Sequence, residues 1–308
     1  MTHTQHVYDY SRQALYAELG CEFRGKRILM PSFTCAEFVG VFKALNCKIS
    51  FLRMNEKLEF IDHYTDWPVV DLVVLTHYLG CESDSSSIRK YAKINDCKVL
   101  EDNAHAVESL HNCYDVFSNN FDFEIISYRK SHNLEYGAIL NIKNHQREQT
   151  YNINNNNLTS LKKLYLNIKA YLRRLGFLNY IRFFKFLIFG FYKTFERVQN
   201  INKPPLNTLF FEVYAKKNLY QSFNNEKIRS KEKKITTYLD QKCIVQLGKM
   251  SSPNETPFGI IISSENKNLM HYLMLKFNVN VFPWPQIHLD AKDYVSDKMM
   301  KSWVICLL

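Results

Sequence analysis

The feature that most constrains the fold is a regular alternation of short apolar runs with amphipathic stretches in the first 145 residues. Residues 69–76 are apolar on both faces, as expected for a strand inside a parallel sheet. Further strands are predicted at residues 27–30, 48–52 and 97–100, with apolar residues at helical spacing between them. This order predicts an α/β fold with a mainly parallel sheet that helices cover on both faces.

Polar residues mark where these elements begin and end. Ser11 is predicted to be the N-cap of the first helix, and residues 83–85 are predicted to cap a helix that continues through Ile94. Asp102 follows the strand predicted at residues 97–100. Because ligands of open α/β sheets bind at the carboxyl ends of the strands, Asp102 is a candidate site residue.

The composition is that of an ordinary globular protein, with 46% hydrophobic and 23% charged residues among 308. The eight cysteines show no C-x-x-C spacing, so we expect reduced thiols in a cytoplasmic protein, with neither a disulfide framework nor a metal site. The first six residues lack the basic and apolar regions of a secretory signal.

Most of the formal net charge of +10 lies in residues 161–200, which contain nine Lys or Arg, a single acid, and many aromatic residues. The longest apolar run there, residues 186–192, is too short to span a membrane. A basic aromatic helix can lie on an anionic membrane surface or meet nucleic acid. We expect instead a helical pair packed on its own domain or on a partner subunit. Peripheral membrane contact is the alternative, and nucleic acid is not expected as a partner.

Three regions are predicted along the chain. Residues 1–150 form the large α/β domain, residues 151–205 a basic helical connecting segment, and residues 206–308 a small α+β domain. The asparagine-rich stretch at residues 152–157 marks the first boundary. The apolar run at residues 303–308 indicates either a shortened C-terminus or a final strand that docks into the small domain.

A carboxylate and an amine fall at two neighbouring predicted strand ends. Asp102 ends one strand, and Lys130 follows the β-rich run at residues 123–128. The pair suits pyridoxal 5'-phosphate (PLP), since a lysine forms a Schiff base with its aldehyde and a carboxylate keeps its pyridine nitrogen protonated. The sequence contains no G-x-G-x-x-G, P-loop, H-E-x-x-H or G-x-S-x-G motif, which disfavours the commonest dinucleotide, NTPase, metalloprotease and hydrolase functions.

Six short segments occur in an informative order. They are Ser11-Arg12-Gln13-Ala14-Leu15, Pro31-Ser32-Phe33-Thr34-Cys35, Leu75-Thr76-His77-Tyr78-Leu79-Gly80, Asp84 with Ile88, Glu101-Asp102-Asn103-Ala104-His105, and Ser127-Tyr128-Arg129-Lys130 through Gly137. Together they resemble the DegT/StrS family of PLP-dependent sugar aminotransferases over residues 5–145. The family motifs that they resemble are G-x-x-A-L, P-S-F-T, V-H-x-x-G, D-x-x-x-I, E-D-A-A-Q/H and S-x-R-K…G-G. Beyond residue 150 only the general layout is similar.

The resemblance implies one catalytic residue and two residues that bind the ring of the cofactor. Lys130 is the implied Schiff-base lysine, which would also shuttle the proton between the donor's α-carbon and the cofactor. Asp102 is implied to pair with the pyridinium nitrogen. His105 is implied to hydrogen-bond the phenolic oxygen of the cofactor.

The resemblance also implies a phosphate site. Ser127 would donate to the cofactor phosphate, assisted by the backbone N–H groups at the start of the Ser11 helix, which form a natural anion site. Arg12 would add positive charge there, unless it is a solvated helix residue. The position of the family's ring-stacking aromatic falls on Cys35, so either cofactor affinity is reduced or another residue stacks on the ring.

Two departures from the family pattern leave alternatives open. In the more common branch the lysine lies five residues after the serine, where this chain has His132, and members with histidine there are dehydratases. The chain from Lys130 to Gly137 matches the R-K branch without a gap, whereas the His132 alignment needs two deletions, so Lys130 is favoured. A short small domain and Cys35 also leave open a catalytically impaired relative that serves as a binding partner.

The resemblance therefore implies the large domain of PLP fold type I with a smaller C-terminal α+β domain, acting as a homodimer. The implied reaction moves an amino group from an amino acid, glutamate by resemblance, to a nucleotide-linked keto-sugar. Products of this kind are used in surface polysaccharide biosynthesis.

Overall fold

Two β-sheets organise the chain. The computed structural model describes residues 3–106, 121–131, 137–143, 225–248, 251–252, 255–285 and 287–307. A seven-stranded sheet is built from the first part of the chain and a four-stranded sheet from the last part. They are the centres of a large and a small domain, and both predicted boundaries of the 151–205 segment lie outside the described residues.

The large sheet has the strand order β1-β7-β6-β5-β4-β2-β3. The five strands from β3 to β6 in this order are mutually parallel, while β7 runs antiparallel to both of its neighbours. The predicted parallel sheet is therefore confirmed for its central part. The strands are β1 His3–Tyr8, β2 Arg27–Pro31, β3 Lys48–Leu52, β4 Leu72–Thr76, β5 Lys98–Asp102, β6 Phe123–Ile126 and β7 Ala138–Lys143.

The strands in the middle of this sheet are those whose residues are mostly apolar on both faces. All five residues of β4 are buried, as the prediction for a central strand requires. The strand begins at Leu72, three residues later than predicted, because Val69 is 57% exposed and Asp71 is engaged by the backbone and side chain of Arg27. The sequence did not indicate β1 or β7, since β1 consists mostly of polar residues and Asn141 interrupts the apolar run of β7.

Helices pack on both faces of the large sheet. One core lies between the sheet and the first two helices, and a second core includes Ile88 and Tyr91 of the third helix on the opposite face. The prediction of Ser11 as an N-cap was wrong: the helix begins at Ser11, and the cap is Tyr10, whose N–H donates to Gln13 Oε1 at 3.1 Å. The helices are α1 Ser11–Phe23, α2 Ala36–Ala44, α3 Ser86–Asn95 and the single turn α4 Tyr128–Ser131.

The small domain is an antiparallel sheet with helices. Its strand order is β10-β11-β9-β8, so the apolar run near residue 303 forms the interior strand β11. This agrees with the predicted docking strand. The elements are α5 Asn225–Gln241, β8 Gln246–Leu247, β9 Gly259–Ser263, α6 Lys267–Phe277, β10 Asn280–Pro283, α7 Asp297–Met300 and β11 Ser302–Cys306.

The basic segment at residues 161–200 lies outside the described residues. Among the helices that are described, none combines the length and the apolar character needed to cross a membrane.

Candidate active site

Three predicted site residues come together at one edge of the large sheet. Thr76 of β4 lies opposite Asp102 of β5, and Asp102 lies opposite Ile125 of β6. Ser127 directly follows β6, and its carbonyl accepts the N–H of Lys130 at 3.0 Å. Since these strands are parallel, their carboxyl ends bring Asp102, Ser127 and Lys130 to the same edge.

The amine of Lys130 contacts the imidazole of His105. Lys130 Nζ and His105 Nε2 are 2.9 Å apart, within hydrogen-bonding distance. His105 belongs to the turn after β5, which is closed by a 3.2 Å hydrogen bond from the Ala106 N–H to the Asn103 carbonyl. Amines and imidazoles are among the side chains that transfer protons in enzymes, so the pair can do acid–base work.

Asp102 lies in the same pocket as Lys130. Burial raises the pKa of the Asp102 carboxyl, while the charge of Lys130, the Ala104 N–H and His77 act to lower it. The Ala104 N–H donates to Asp102 Oδ1 at 3.0 Å. The carboxylate is therefore oriented by its own turn and faces a cationic group, which suits it to hold a protonated ring nitrogen.

Cys35 also lies in this pocket. Burial raises the pKa of the Cys35 thiol; the charge of Lys130 lowers it, and the negative charge of Asp102 raises it further. Cys35 precedes α2 and forms an isolated β-bridge with Ile287 of the small domain. The position predicted for a ring-stacking aromatic thus lies beside the amine and the carboxylate, where it presents a thiol.

Aromatic side chains from the small domain lie over His105. The ring of Phe258 is stacked on the imidazole at a centroid distance of 5.1 Å and an angle of 15°. The ring of Trp284 meets the imidazole edge-on at 4.8 Å and 62°. Neither residue was predicted from the sequence to belong to the site.

Tyr78 lines the same pocket from the end of β4. Its hydroxyl donates to the Phe33 carbonyl at 2.9 Å, and its ring meets Trp284 edge-on at a centroid distance of 6.4 Å. Burial raises the pKa of Tyr78 well above its ordinary value, and the negative charge of Asp102 raises it further. The hydroxyl therefore stays protonated and neutral at the bottom of the site.

Ser11 and Arg12, which are predicted to help bind a phosphate, lie at the same edge of the sheet as Ser127, two strands away from β6. Val7 of β1 and Ile126 of β6 are both paired with Ile139 of β7, so the start of α1 and Ser127 end up on one side of the sheet. Gly137 leads into β7 with a φ of 134°, a conformation that favours glycine, and its N–H donates to the Asp9 carbonyl at 3.0 Å. This contact holds the β1–α1 loop against the edge.

Ser11 and Arg12 differ in how they are engaged. Ser11 Oγ is buried and makes no hydrogen bond within the described part of the chain. Arg12 Nη1 donates to Glu37 at 3.2 Å, and its guanidinium lies 4.3 Å from the centroid of the Tyr10 ring. A buried hydroxyl without a partner at a helix N-terminus fits an anion such as the PLP phosphate. With Lys130 and Asp102 in one pocket, the residues present fit the cofactor that the sequence implied.

A buried hydrogen-bonded pair supports the site from the opposite face of the sheet. The Ser83 N–H donates to His77 Nδ1 at 3.0 Å, so the ring proton lies on Nε2 and is donated to Glu101 Oε1 at 3.0 Å. The His77 N–H donates to the Asp102 carbonyl at 3.1 Å. In the sequence, His77 is recognisable only as part of a motif, and this contact was not predicted.

The rival to Lys130 is not among the described residues. His132 lies in the undescribed stretch of residues 132–136. Lys130 itself faces His105, Asp102 and Cys35, as set out above.

The fold is that of the fold type I PLP enzymes, and the predicted fold class is confirmed. No protein-family model matches this sequence, and no curated protein is significantly similar to it. The support for the fold therefore comes from solved structures alone.

Three solved structures illustrate the likeness. A DegT DnrJ EryC1 StrS aminotransferase from Brucella abortus has a TM-score of 0.55 at 10% identity, covering 99% of this chain and 80% of that one. PseC of Helicobacter pylori, an aminotransferase involved in pseudoaminic acid biosynthesis, has a TM-score of 0.56 at 12% identity, covering 98% and 80%. A NifS-like protein from Rickettsia africae has a TM-score of 0.60 at 14% identity, covering 99% and 76%. At these identities the likeness concerns the fold.

Proposed function

We propose that the protein is a PLP-dependent aminotransferase that moves an amino group from an amino acid, glutamate by resemblance, to a keto-sugar linked to a nucleotide. The observation that carries the proposal is the contact of Lys130 Nζ with His105 Nε2, 2.9 Å apart in the pocket of Asp102. The same fold serves several reactions, so the fold alone does not give the reaction. The family resemblance and the structural likeness to the aminotransferase PseC add support for this one.

Each side chain has a task that follows from its surroundings. PLP, when bound, supplies an electron-withdrawing ring that makes the α-proton of an amino acid labile. Asp102 holds a proton at the ring nitrogen, and Lys130 takes or returns a proton at Nζ. His105 Nε2 orients that amine through their hydrogen bond. Phe258 and Trp284 cover part of His105 and reduce its contact with water, which strengthens its electrostatic interactions.

The phosphate of the cofactor is expected to bind at the far end of the edge. The Oγ of Ser11 is buried there without a hydrogen-bond partner among the described residues, and the N-terminus of α1 offers a positive dipole end. Ser127 follows β6 at the same edge of the sheet, two strands from β1. Arg12 reaches the same helix terminus, although its guanidinium also contacts Glu37.

A titration with PLP tests the proposal. The purified chain should develop a visible absorption band with PLP, Lys130→Ala should abolish it, and Lys90→Ala, which changes an exposed lysine of α3, should leave it intact. The band should then bleach with glutamate as 2-oxoglutarate appears. A wild-type protein without a band would overturn the proposal in favour of an impaired binding protein.

The dehydratase alternative predicts a different result. There the band should survive Lys130→Ala, and activity should be lost on changing His132 instead. A band that survives Lys130→Ala while His132→Ala abolishes sugar conversion would refute the aminotransferase.

The proposal also includes a cytoplasmic homodimer whose residues 161–200 pack on the protein or touch a membrane surface. The family resemblance supports the dimer, and the cluster of basic and aromatic residues supports the surface contact. Sedimentation velocity gives the assembly state. Co-sedimentation with anionic vesicles at low and high salt tests the surface contact, because salt screens such attraction.

A further inference from the structure

A buried group of three polar side chains lies beneath the candidate site. Glu124 of β6 accepts hydrogen bonds from Asn103 Nδ2 at 2.6 Å and from Asn141 Nδ2 at 2.8 Å. Glu124 and Asn103 are completely buried, and Asn141 is 2% exposed. Because neighbouring residues of a strand point to opposite faces, Glu124 faces away from the side of the sheet on which Ile125 lies opposite Asp102.

This group is expensive for the folded protein. A carboxylate buried in a sheet is stabilising only if its oxygens are hydrogen-bonded, and apolar side chains of similar size pack in such a place at lower cost. The strand that carries Glu124 is otherwise apolar, with Phe123, Ile125 and Ile126 all buried. A reason for Glu124 should therefore lie in what its hydrogen bonds hold in place.

One of the hydrogen bonds that Glu124 accepts comes from the turn between Asp102 and His105. The Asn103 N–H donates to the Ile125 carbonyl at 2.9 Å, and the Asn103 carbonyl accepts the Ala106 N–H at 3.2 Å. Between them the Ala104 N–H binds Asp102 Oδ1 at 3.0 Å. With its backbone and its side chain both bonded to β6, Asn103 fixes the turn between Asp102 and His105.

We propose that Glu124 is a positioning residue of the site: through Asn103 it fixes the turn that orients the Asp102 carboxylate and the His105 imidazole. This inference rests on the proposed function for its meaning in catalysis, but its effect on the turn does not require the cofactor. Glu124 acts through the hydrogen bonds that it accepts from Asn103 and Asn141 rather than through its charge.

The two asparagines make the distinction testable. Asn103 Oδ1 and Asn141 Oδ1 are both buried, and neither has a hydrogen-bond partner in the described part of the chain. A glutamine at position 124 can accept from one asparagine amide and donate to the Oδ1 of the other after that amide turns over. Glu124→Gln therefore keeps both links, whereas Glu124→Leu removes both at similar volume.

The experiment compares these variants in the full-length protein. We expect Glu124→Leu to weaken PLP binding about 10- to 100-fold, since small displacements of site residues have effects of this size. Glu124→Gln should bind PLP within about threefold of wild type, because both links survive. Glu232 supplies the matched control: this carboxylate of α5 is 7% exposed and is bonded by Ser251 Oγ, and Glu232→Leu should not alter PLP binding.

A second measurement needs no cofactor. Amide hydrogen exchange of residues 103–106 in the apo protein should be faster in Glu124→Leu than in wild type and unchanged in Glu124→Gln. If the wild type fails to bind PLP, the proposed function fails, and the exchange data still decide the inference about the turn. Should Glu124→Leu not fold, Asn103→Ala replaces it, since it cuts the same link and should accelerate the same amides.

Two results would overturn the proposal. One is normal PLP binding and normal exchange in a folded Glu124→Leu or Asn103→Ala variant, which would show that the turn holds without this group. The other is an equal loss in Glu124→Gln and Glu124→Leu, which would show that the charge matters rather than the hydrogen bonds.

Discussion

The contact between the two domains at Gly80 gives the sharpest stability prediction. Gly80 has a φ of +93°, and a Cβ there would lie 2.1 Å from the Thr256 carbonyl oxygen and 2.7 Å from the Phe258 nitrogen. The Phe258 N–H also donates to the Leu79 carbonyl at 2.8 Å. Gly80→Ala must therefore push away the segment whose aromatic ring is stacked on His105.

The size of the effect follows from these contacts. An alanine at positive φ costs roughly 1 kcal/mol or more. Loss of the Phe258–Leu79 hydrogen bond costs about 1 kcal/mol, and loss of the stacking on His105 costs about 1 kcal/mol. We expect the free energy of unfolding to fall by about 3 kcal/mol, near the upper end for single substitutions.

Urea unfolding followed by circular dichroism measures this loss, with Gly40→Ala as the control. Gly40 lies within α2, and a Cβ there meets no atom within 4 Å, so alanine should be stabilising by about 0.5–1 kcal/mol through its helix propensity. The same samples titrated with PLP should show weaker binding in Gly80→Ala only. A Gly80→Ala protein as stable as wild type, with unaltered PLP binding, would refute the reasoning.

Three further predictions concern single side chains. Asp102→Asn should weaken PLP binding, yet the apo variant should be no less stable than the wild type in urea at neutral pH. Burial raises the pKa of the Asp102 carboxyl, so its ionised form opposes folding at any pH above the ordinary pKa of an aspartate. A clear loss of apo stability would contradict this. Phe258→Leu should shift the ring-proton NMR signals of His105 and lower the free energy of unfolding by about 1 kcal/mol through lost stacking; unshifted signals would rule out the stacked pair. The pKa of Asp71 is lowered from 3.8 to about 2 by hydrogen bonds from Arg27, so its stabilising contribution is present above 3.8 and is lost as the pH falls towards 2; acid titrations of Asp71→Asn should lack this loss.

The parts of the fold that the sequence predicted are those with strong local patterns. β4 could be predicted because its residues are apolar on both faces. The edge of the sheet that carries the site could be predicted because Asp102 ends the neighbouring strand. β1 and β7 were missed, since strands at or next to the edge of a sheet can form without a continuous apolar run in the sequence. Their pairing depends on contacts between distant segments, which no local pattern reveals.

The site, like the fold, could be predicted only where the sequence carries a local pattern. Lys130 and His105 were named from their order in the chain, and the structure places their nitrogens 2.9 Å apart. Phe258 and Trp284 were missed because the second domain brings them to His105 through tertiary packing. Glu124 was missed as well, since a carboxylate within a β-rich run gives no sign of what it bonds to.

The pairing of β1 with β7 has a consequence for how the protein folds. His6 lies opposite Leu140, so the edge that carries the start of α1 forms only after two distant segments have met. Closing a long loop carries an entropic cost, and pairings of this kind slow folding. We expect the anion-binding end of the site to form last, after the parallel centre of the sheet. A phosphate group that binds only the completed edge then favours the finished fold by mass action, so the cofactor's phosphate would act as a folding ligand as well as an anchor.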